Sequence, residues 1–287
     1  MKVPIRIASN PTILVEGEEA HLFIRISSLG GDFDVTSITH TNVLINELVG
    51  EVRLKAKELL YPLLPSENVE DPRINQSMPR ELYHVRAFNS GRGAVLTFKA
   101  LLSSDLSKVL HMEPICFNNG HKSFLLRDFR DTFPLNSKYM IVRPYFRSIG
   151  GGGIFIAPYE GAEVMFNELK PIPELLPQGD EVKTGGNAVT KLNSNEYLLI
   201  YHVADKYGIY YTYAAILSDQ GEPLMMGEEP IITPNPDLYV SGRPGTVFVC
   251  GAVKYKSKIL ITAGIDDEAI VIYEVSEEKL FEKLRRV

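Results

Sequence analysis

The feature that most constrains this chain is a repeat. A polar turn leads into an apolar strand, a short connection follows, and a second apolar strand ends in a turn and a Pro-containing segment. The first copy holds Ala20-His21-Leu22-Phe23-Ile24-Arg25-Ile26. Later copies pair residues 81–88 with 94–100, 137–144 with 153–157, 195–202 with 210–217, and 258–264 with 269–275. Tyr83, Tyr139, Tyr197 and Ile259 occupy equivalent places at intervals of roughly 60 residues, within reach of propeller-blade periods. Runs rich in β-branched and aromatic residues, broken by Gly, Asn and Asp, indicate an all-β protein. Radial repetition protects sheet edges, so five copies with weaker flanking strands predict a five-bladed β-propeller. Residues 1–287 then form a single domain. Helical spacing is found only at the end, where Leu280, Phe281 and Leu284 within Glu277 to Val287 predict a short terminal helix closing on a Lys/Arg-rich turn.

Composition narrows the function. Hydrophobic residues make up 45% of the 287, enough for a sizeable core. The net charge of −6, with no long run of one sign, argues against nucleic acid as a partner, because a phosphate backbone requires a basic face. No segment reaches the length of a membrane-spanning helix. Met1 to Pro11 lacks the apolar region of a secretory signal, and the expected compartment is the cytoplasm. Cys116 and Cys250 sit among apolar neighbours and read as small buried residues. The six histidines are scattered without ligand spacing, so neither a metal nor any other cofactor is expected. The sequence is compatible with a homo-oligomer.

Candidate chemistry centres on Val69-Glu70-Asp71-Pro72-Arg73-Ile74. Pro72 fixes its own φ and biases Asp71 toward an extended backbone, while Arg73 is close enough to influence the Asp71 charge. A general acid needs such placement. Elsewhere Arg25, Arg143 and His202 interrupt or end apolar strands at similar depths, with Asp267 just past the last one. In a propeller these depths meet at one mouth, which predicts an axial site for an anionic ligand.

Several of these segments, in order, resemble glycoside hydrolase family 130, the mannoside phosphorylases and related β-mannosidases. Glu70-Asp71-Pro72-Arg73-Ile74 resembles the family's EDPR signature, and Asn10-Pro11 with Arg25 resembles its opening segment. Phe133-Pro134, Lys138-Tyr139 and Val142-Arg143-Pro144 resemble its FP…KY…RP hairpin. Lys183-Thr184-Gly185-Gly186 with Leu198-Leu199-Ile200-Tyr201-His202, then Val249-Cys250-Gly251-Ala252 and Gly264-Ile265-Asp266-Asp267, resemble the remaining motifs. The resemblance implies a five-bladed propeller in which inorganic phosphate attacks the anomeric carbon of a β-mannoside, releasing α-mannose 1-phosphate with inversion. It implies that Asp71 supplies the proton through a hydroxyl of the mannosyl residue. It also implies that Asn10, Arg25, Arg73 and Asp267 bind substrate.

An inverting hydrolase needs a second carboxylate to activate water. Phosphate is already a nucleophile and needs only positioning and charge neutralisation. By resemblance that task falls to Arg143, Lys183 and His202, the last able to donate a hydrogen bond in either protonation state. A further arginine usually precedes the FP hairpin, where Arg127 fits the spacing better than Arg130. The connections from Pro134 to Tyr139 and from Lys183 to Val189 are short for the family, and Asn187-Ala188-Val189-Thr190 replaces a proline-rich stretch, which leaves the acceptor side undefined. Gly150 to Gly153 reads as a hairpin turn, since no helix follows it. Two alternatives stay open beside a phosphorylase: a β-mannoside hydrolase of the same family, and a non-catalytic sugar-binding propeller.

Overall fold

The computed structural model describes residues 7–27, 35–88, 93–145, 152–235 and 245–287. Among these residues the protein is all-β with almost no helix, and the strands group into five sheets. The first is a meander of β1 (Ile7–Glu16), β2 (Glu19–Ser27), β3 (Thr36–Leu44) and β4 (Lys57–Leu60). A second meander contains β5 (Glu67–Asn75), β6 (Met78–Phe88), β7 (Ala94–Leu102) and β8 (Val109–Pro114). The third sheet is the largest. It combines β9 (Cys116–Asn118), β10 (Ser123–Phe124), β11 (Phe129–Pro134), β12 (Tyr139–Pro144), β13 (Phe155–Glu160), β14 (Glu163–Met165) and β15 (Lys170–Pro171). The fourth begins with β16 (Glu181–Lys191), β17 (Glu196–Asp205), β18 (Tyr210–Ser218) and β19 (Pro223–Gly227). The fifth has three strands, β20 (Val247–Tyr255), β21 (Lys258–Ile265) and β22 (Ala269–Ser276).

Apolar side chains fill the gaps between these sheets. Leu14, Phe23 and Ile38 pack with Val69, Leu82 and Ala100, joining the first sheet to the second. Ile13 and Leu22 pack with Val253 and Leu260, joining the first to the fifth. Ile141 and Phe133 meet Leu199 and Tyr201, and Ile200 and Ala214 meet Val249 and Ile261. Because neighbours cover both faces, β17 is buried along nearly its whole length, and so its sequence is continuously apolar instead of alternating. The arrangement is propeller-like. It is not a set of equal repeats: the third sheet has seven strands and includes a parallel pairing of β14 with β9, while the fifth has three.

Two expectations from sequence need correction here. The terminal helix α1 covers only Glu277–Phe281, with Ser276 Oγ accepting from Lys279 N at its start. The chain then turns into β23 (Leu284–Arg286), which pairs antiparallel with β19 and completes the fourth sheet. The helical spacing of Leu280 and Leu284 arises because both are buried, one from the helix and one from the strand. Cys250 is buried as expected, but Cys116 is only half-buried at a short strand. Among the described residues, no helix is long and apolar enough to cross a membrane. Of the four-glycine turn, Gly150 and Gly151 lie outside the described residues; Gly152 has a φ of 102° and its carbonyl accepts from Thr184 N at 3.2 Å.

Candidate active site

Among the described residues, one edge strand of every sheet carries a register break. In β1 the register jumps from Ser9 opposite Arg25 to Thr12 opposite Phe23, so Asn10 and Pro11 face one residue. Asp71 and Pro72 do the same in β5, and Asp131 and Thr132 in β11. One extra residue, Asn187, bulges from β16, and Cys250 from β20. Bulges re-aim side chains and commonly adjoin active sites. Asn10, Asp71 and Asp131 adopt left-handed φ values of 47°, 50° and 48°. Among non-glycine residues Asn and Asp tolerate that region best, which explains why these types stand there. The expectation that Pro72 would hold Asp71 extended is thus corrected: the bulge puts Asp71 in the left-handed region. Its position is held by Arg73 Nη1, which donates to Asp71 O at 3.1 Å, and by Asn10.

Asn10, Asp71 and Asp131, from three of these bulges, line a cavity of about 240 Å³. Asn10, Arg25, Asp71, Arg143, Lys183, His202 and Asp267, all singled out from sequence, line it. One half is acidic. Asn10 Nδ2 donates to Asp71 Oδ1 at 2.9 Å and to Asp267 Oδ1 at 3.2 Å. Arg25 stands 3.6 Å from Glu70, 3.7 Å from Asp71 and 3.8 Å from Asp267. Three carboxylates thus share one guanidinium. Burial would lower the Arg25 pKa, but the three acids together raise it. Burial raises the Glu70 pKa; Arg25 opposes this, and the neighbouring Asp71 adds to it.

The other half is cationic, formed by Arg130, Arg143 and Lys183, with His202 and Tyr210 beside them. Arg143 Nε donates to Asp131 Oδ2 at 2.6 Å. Lys183 Nζ donates to the Tyr210 hydroxyl and sits 4.5 Å from the centre of that ring. Asp131 is 2% exposed; burial would raise its pKa, yet Arg143 and Arg73 overcome that and hold it low. Gly185 makes the convergence of these groups sterically feasible. A Cβ there would lie 2.5 Å from His202 Cε1, 2.7 Å from Asp131 Oδ2 and 2.9 Å from Arg143 Cδ. His202 Nδ1 lies 2.9 Å from Asn187 Oδ1, and the Asn187 amide donates its own hydrogen to Val249 O at 2.5 Å. The His202 ring therefore carries its hydrogen on Nδ1, directed at Asn187 and not toward a ligand. Burial first, then Lys183, Arg143 and Arg73, push its pKa well below the ordinary range, with Asp131 opposing. The ring is neutral, and the expectation that it donates to a ligand is corrected.

Two further residues are placed differently from expectation. Arg73 is 3% exposed and does not line the cavity. Its Nε donates to Asn187 O at 3.1 Å, Nη1 to Asp71 O, and Nη2 to Asp131 Oδ1, so it bolts three bulges together from beneath. The guanidinium lies 5.7 Å from the Phe133 and Phe248 ring centres, which shield it from solvent. Arg127 is exposed, outside the cavity, with Nη2 donating to Gly93 O. Arg130, one position before the β11 bulge and opposite Arg143, reaches the cavity instead. Sequence reasoning gave no role to Glu70, Asp131, Tyr210 or Phe248. Aligning the five bulged strands would have found Asp131, which stands where Asn10 and Asp71 stand in theirs.

A cavity with an acidic half gathered around one guanidinium and a cationic half opposite can hold an anion against a neutral polyol. Comparisons with known proteins agree. A family model described as beta-1,4-mannooligosaccharide phosphorylase matches residues 4–286. A comparison with curated proteins found no match. Among solved structures, a beta-1,2-mannobiose phosphorylase from Listeria innocua in complex with beta-1,2-mannobiose is 17% identical, with a TM-score of 0.73 over 97% of this chain and 92% of that one. A mannose phosphorylase from Leishmania mexicana in complex with phosphate ion is 12% identical, with a TM-score of 0.64 over 96% and 86%. A third, described within a family of mannoside phosphorylases that contains glycoside hydrolases targeting beta-1,2 mannosidic linkages in Candida mannan, is 14% identical, with a TM-score of 0.63 over 95% and 85%. This chain belongs to glycoside hydrolase family 130, a family of mannoside phosphorylases and hydrolases.

Proposed function

We propose that the cavity catalyses phosphorolysis of β-mannosides by inorganic phosphate, with inversion, releasing α-mannose 1-phosphate. The whole chain serves as a single catalytic domain in which the five bulged sheets are five blades. The observation that carries the reading is the polarity of the cavity. Asn10, Arg25 and Asp267 surround Asp71 on the sugar side, and Asp71 delivers the proton. Arg130, Arg143 and Lys183 on the opposite side meet phosphate. A dianion leaves water only where cationic donors replace its hydration, and this half supplies three. Asp131, the carboxylate nearest those cations, is locked between Arg73 and Arg143 and held ionised at low pKa, which makes it a poor base for activating water. That disfavours the hydrolase alternative. The phosphate ion in the Leishmania mexicana relative is consistent with the same division of labour.

Steady-state kinetics of Lys183→Ala test the assignment, with Arg127→Ala as a control on an arginine outside the cavity. Lys183→Ala is expected to raise KM for phosphate by about tenfold or more, with KM for the mannoside within a factor of about three, since a charge-assisted hydrogen bond contributes roughly 1.5–3 kcal/mol. Arg127→Ala should leave both constants unchanged. Equal increases in both constants for Lys183→Ala would contradict a phosphate-side role.

A further inference from the structure

The fifth sheet gives the cavity a wall unlike the other four, with the Phe248 ring and the neutral hydroxyl of Thr246 beside Asp267. Thr246 is 2% exposed, and its Oγ1 has no hydrogen-bond partner among the described residues. Its backbone, by contrast, is fully engaged. Thr246 O accepts from Asp266 N at 2.8 Å, and Thr246 N donates to Asp266 Oδ1 at 3.4 Å. The preceding carbonyl, Gly245 O, accepts from Tyr210 N at 3.1 Å, which stitches this end of the fifth sheet to the fourth. The side chain is thus carried on a fixed backbone with its hydroxyl left over. A buried hydroxyl without a partner is destabilising, so the residue type is unexplained by the fold alone.

The register of the strands gives the height of Thr246 above the proton donor. A Cβ on Gly264 would lie 2.1 Å from Asn10 Oδ1, so Asn10 is level with Gly264, and Gly264 pairs with Phe248. Asn10 Nδ2 in turn donates to Asp71 Oδ1 at 2.9 Å. Phe248 is therefore level with Asp71. Thr246 is two residues nearer the strand end and on the same face of the strand, about 7 Å higher by the rise of a β-strand. That offset is roughly the width of one sugar ring.

We propose that the Thr246 hydroxyl binds the leaving sugar, the acceptor residue of the β-mannoside, one ring above the mannosyl group that Asp71 serves. This rests on the phosphorylase reading above and deepens it. A hydroxyl both donates and accepts, which suits a neutral polyol. A phosphate dianion would find a single donor there, with the Asp267 carboxylate on the same wall, whereas Arg130, Arg143 and Lys183 stand on the third and fourth sheets. Thr246 thereby gives the acceptor side of the site a residue that reads one hydroxyl of the leaving group.

Kinetics in the synthetic direction test this, with α-mannose 1-phosphate as donor and mannose, mannobiose, glucose or N-acetylglucosamine as acceptor, whichever the wild type uses fastest. Thr246→Val keeps the shape and removes the hydroxyl. It is expected to raise KM for the acceptor by about tenfold while KM for mannose 1-phosphate stays within a factor of about three. Thr246→Ser keeps the hydroxyl and should leave both constants within a factor of about three. Because the hydroxyl is unpartnered in the fold, the Tm of Thr246→Val should equal or exceed that of the wild type. An unchanged KM for the acceptor, or an equal rise in both constants, would overturn the proposal while leaving the phosphorylase reading in place. A Tm lowered in Thr246→Val would show the hydroxyl bonded within the protein and would overturn it as well. Absence of transfer to every acceptor would also overturn it; if the same preparation releases mannose from β-linked manno-oligosaccharides without phosphate, the phosphorylase reading falls with it.

Discussion

Replacing Arg73 with lysine separates a structural bolt from a substrate ligand. Lysine keeps the positive charge beside Asp131 but loses the planar fork. It can preserve one of the three contacts, the ion pair with Asp131, and abandons those to Asn187 O and Asp71 O. Each carbonyl left buried without a donor costs about 1–3 kcal/mol, giving a total of about 2–6 kcal/mol. For a chain of this size the unfolding entropy, at about 2.1 cal/mol/K per residue, converts that to a fall in Tm of about 3–10 °C. Differential scanning calorimetry reads it directly. Turnover should fall too, because Arg73 fixes the backbone that carries Asp71. A variant whose Tm stays within about 1 °C of wild type while KM for the mannoside rises would refute the bolt and restore Arg73 as a ligand.

Asp71→Asn removes the transferable proton with little change of shape; turnover should fall by about two to four orders of magnitude while the Tm changes little, and near-normal turnover would assign Asp71 a merely structural role. Stability should also fall with pH in a window set by buried histidines. His84 accepts from Arg86 Nε at 3.2 Å, and burial, reinforced by that guanidinium, pushes its pKa from 6.5 down to about 3. Because the folded-state value lies below the unfolded one, protonation favours unfolding: stability is full above about pH 6.5 and declines as pH falls toward 3. His202 acts in the same direction, whereas Asp131, held low, adds losses only below its unfolded value of 3.8. At pH 5 His84 alone should cost about 2 kcal/mol, a drop in Tm of about 3–4 °C. A Tm unchanged between pH 7.5 and 5 would contradict the neutral buried state.

What the sequence made legible follows from how each strand is buried. The strand beside each bulged one is paired on both sides and covered on both faces, so β2, β6, β12, β17 and β21 carry the apolar runs that reveal the repeat. The edge strands β1, β5, β11, β16 and β20 carry the bulges, and there Asn10-Pro11, Asp71-Pro72, Asp131-Thr132 and Gly185-Gly186-Asn187 look like turns. Those strands hold most of the site, and for that reason Asp131 escaped notice. Sequence spacing also cannot say to which side of a bulge a long side chain goes. Asp71 points into the cavity and Arg73, two residues on, runs beneath it. A shift of three residues likewise separates Arg130 in the cavity from Arg127 on the surface.

The proposed reaction differs from hydrolysis in one respect: phosphate, and not water, takes the mannosyl group. Purified enzyme incubated with β-linked manno-oligosaccharides, with and without inorganic phosphate, tests it by quantifying mannose 1-phosphate and free mannose. Phosphorolysis requires a rate that rises and saturates with phosphate, α-mannose 1-phosphate as the product, and negligible release of mannose in phosphate-free buffer. Free mannose released equally fast without phosphate would contradict it and make the chain a hydrolase of the same family.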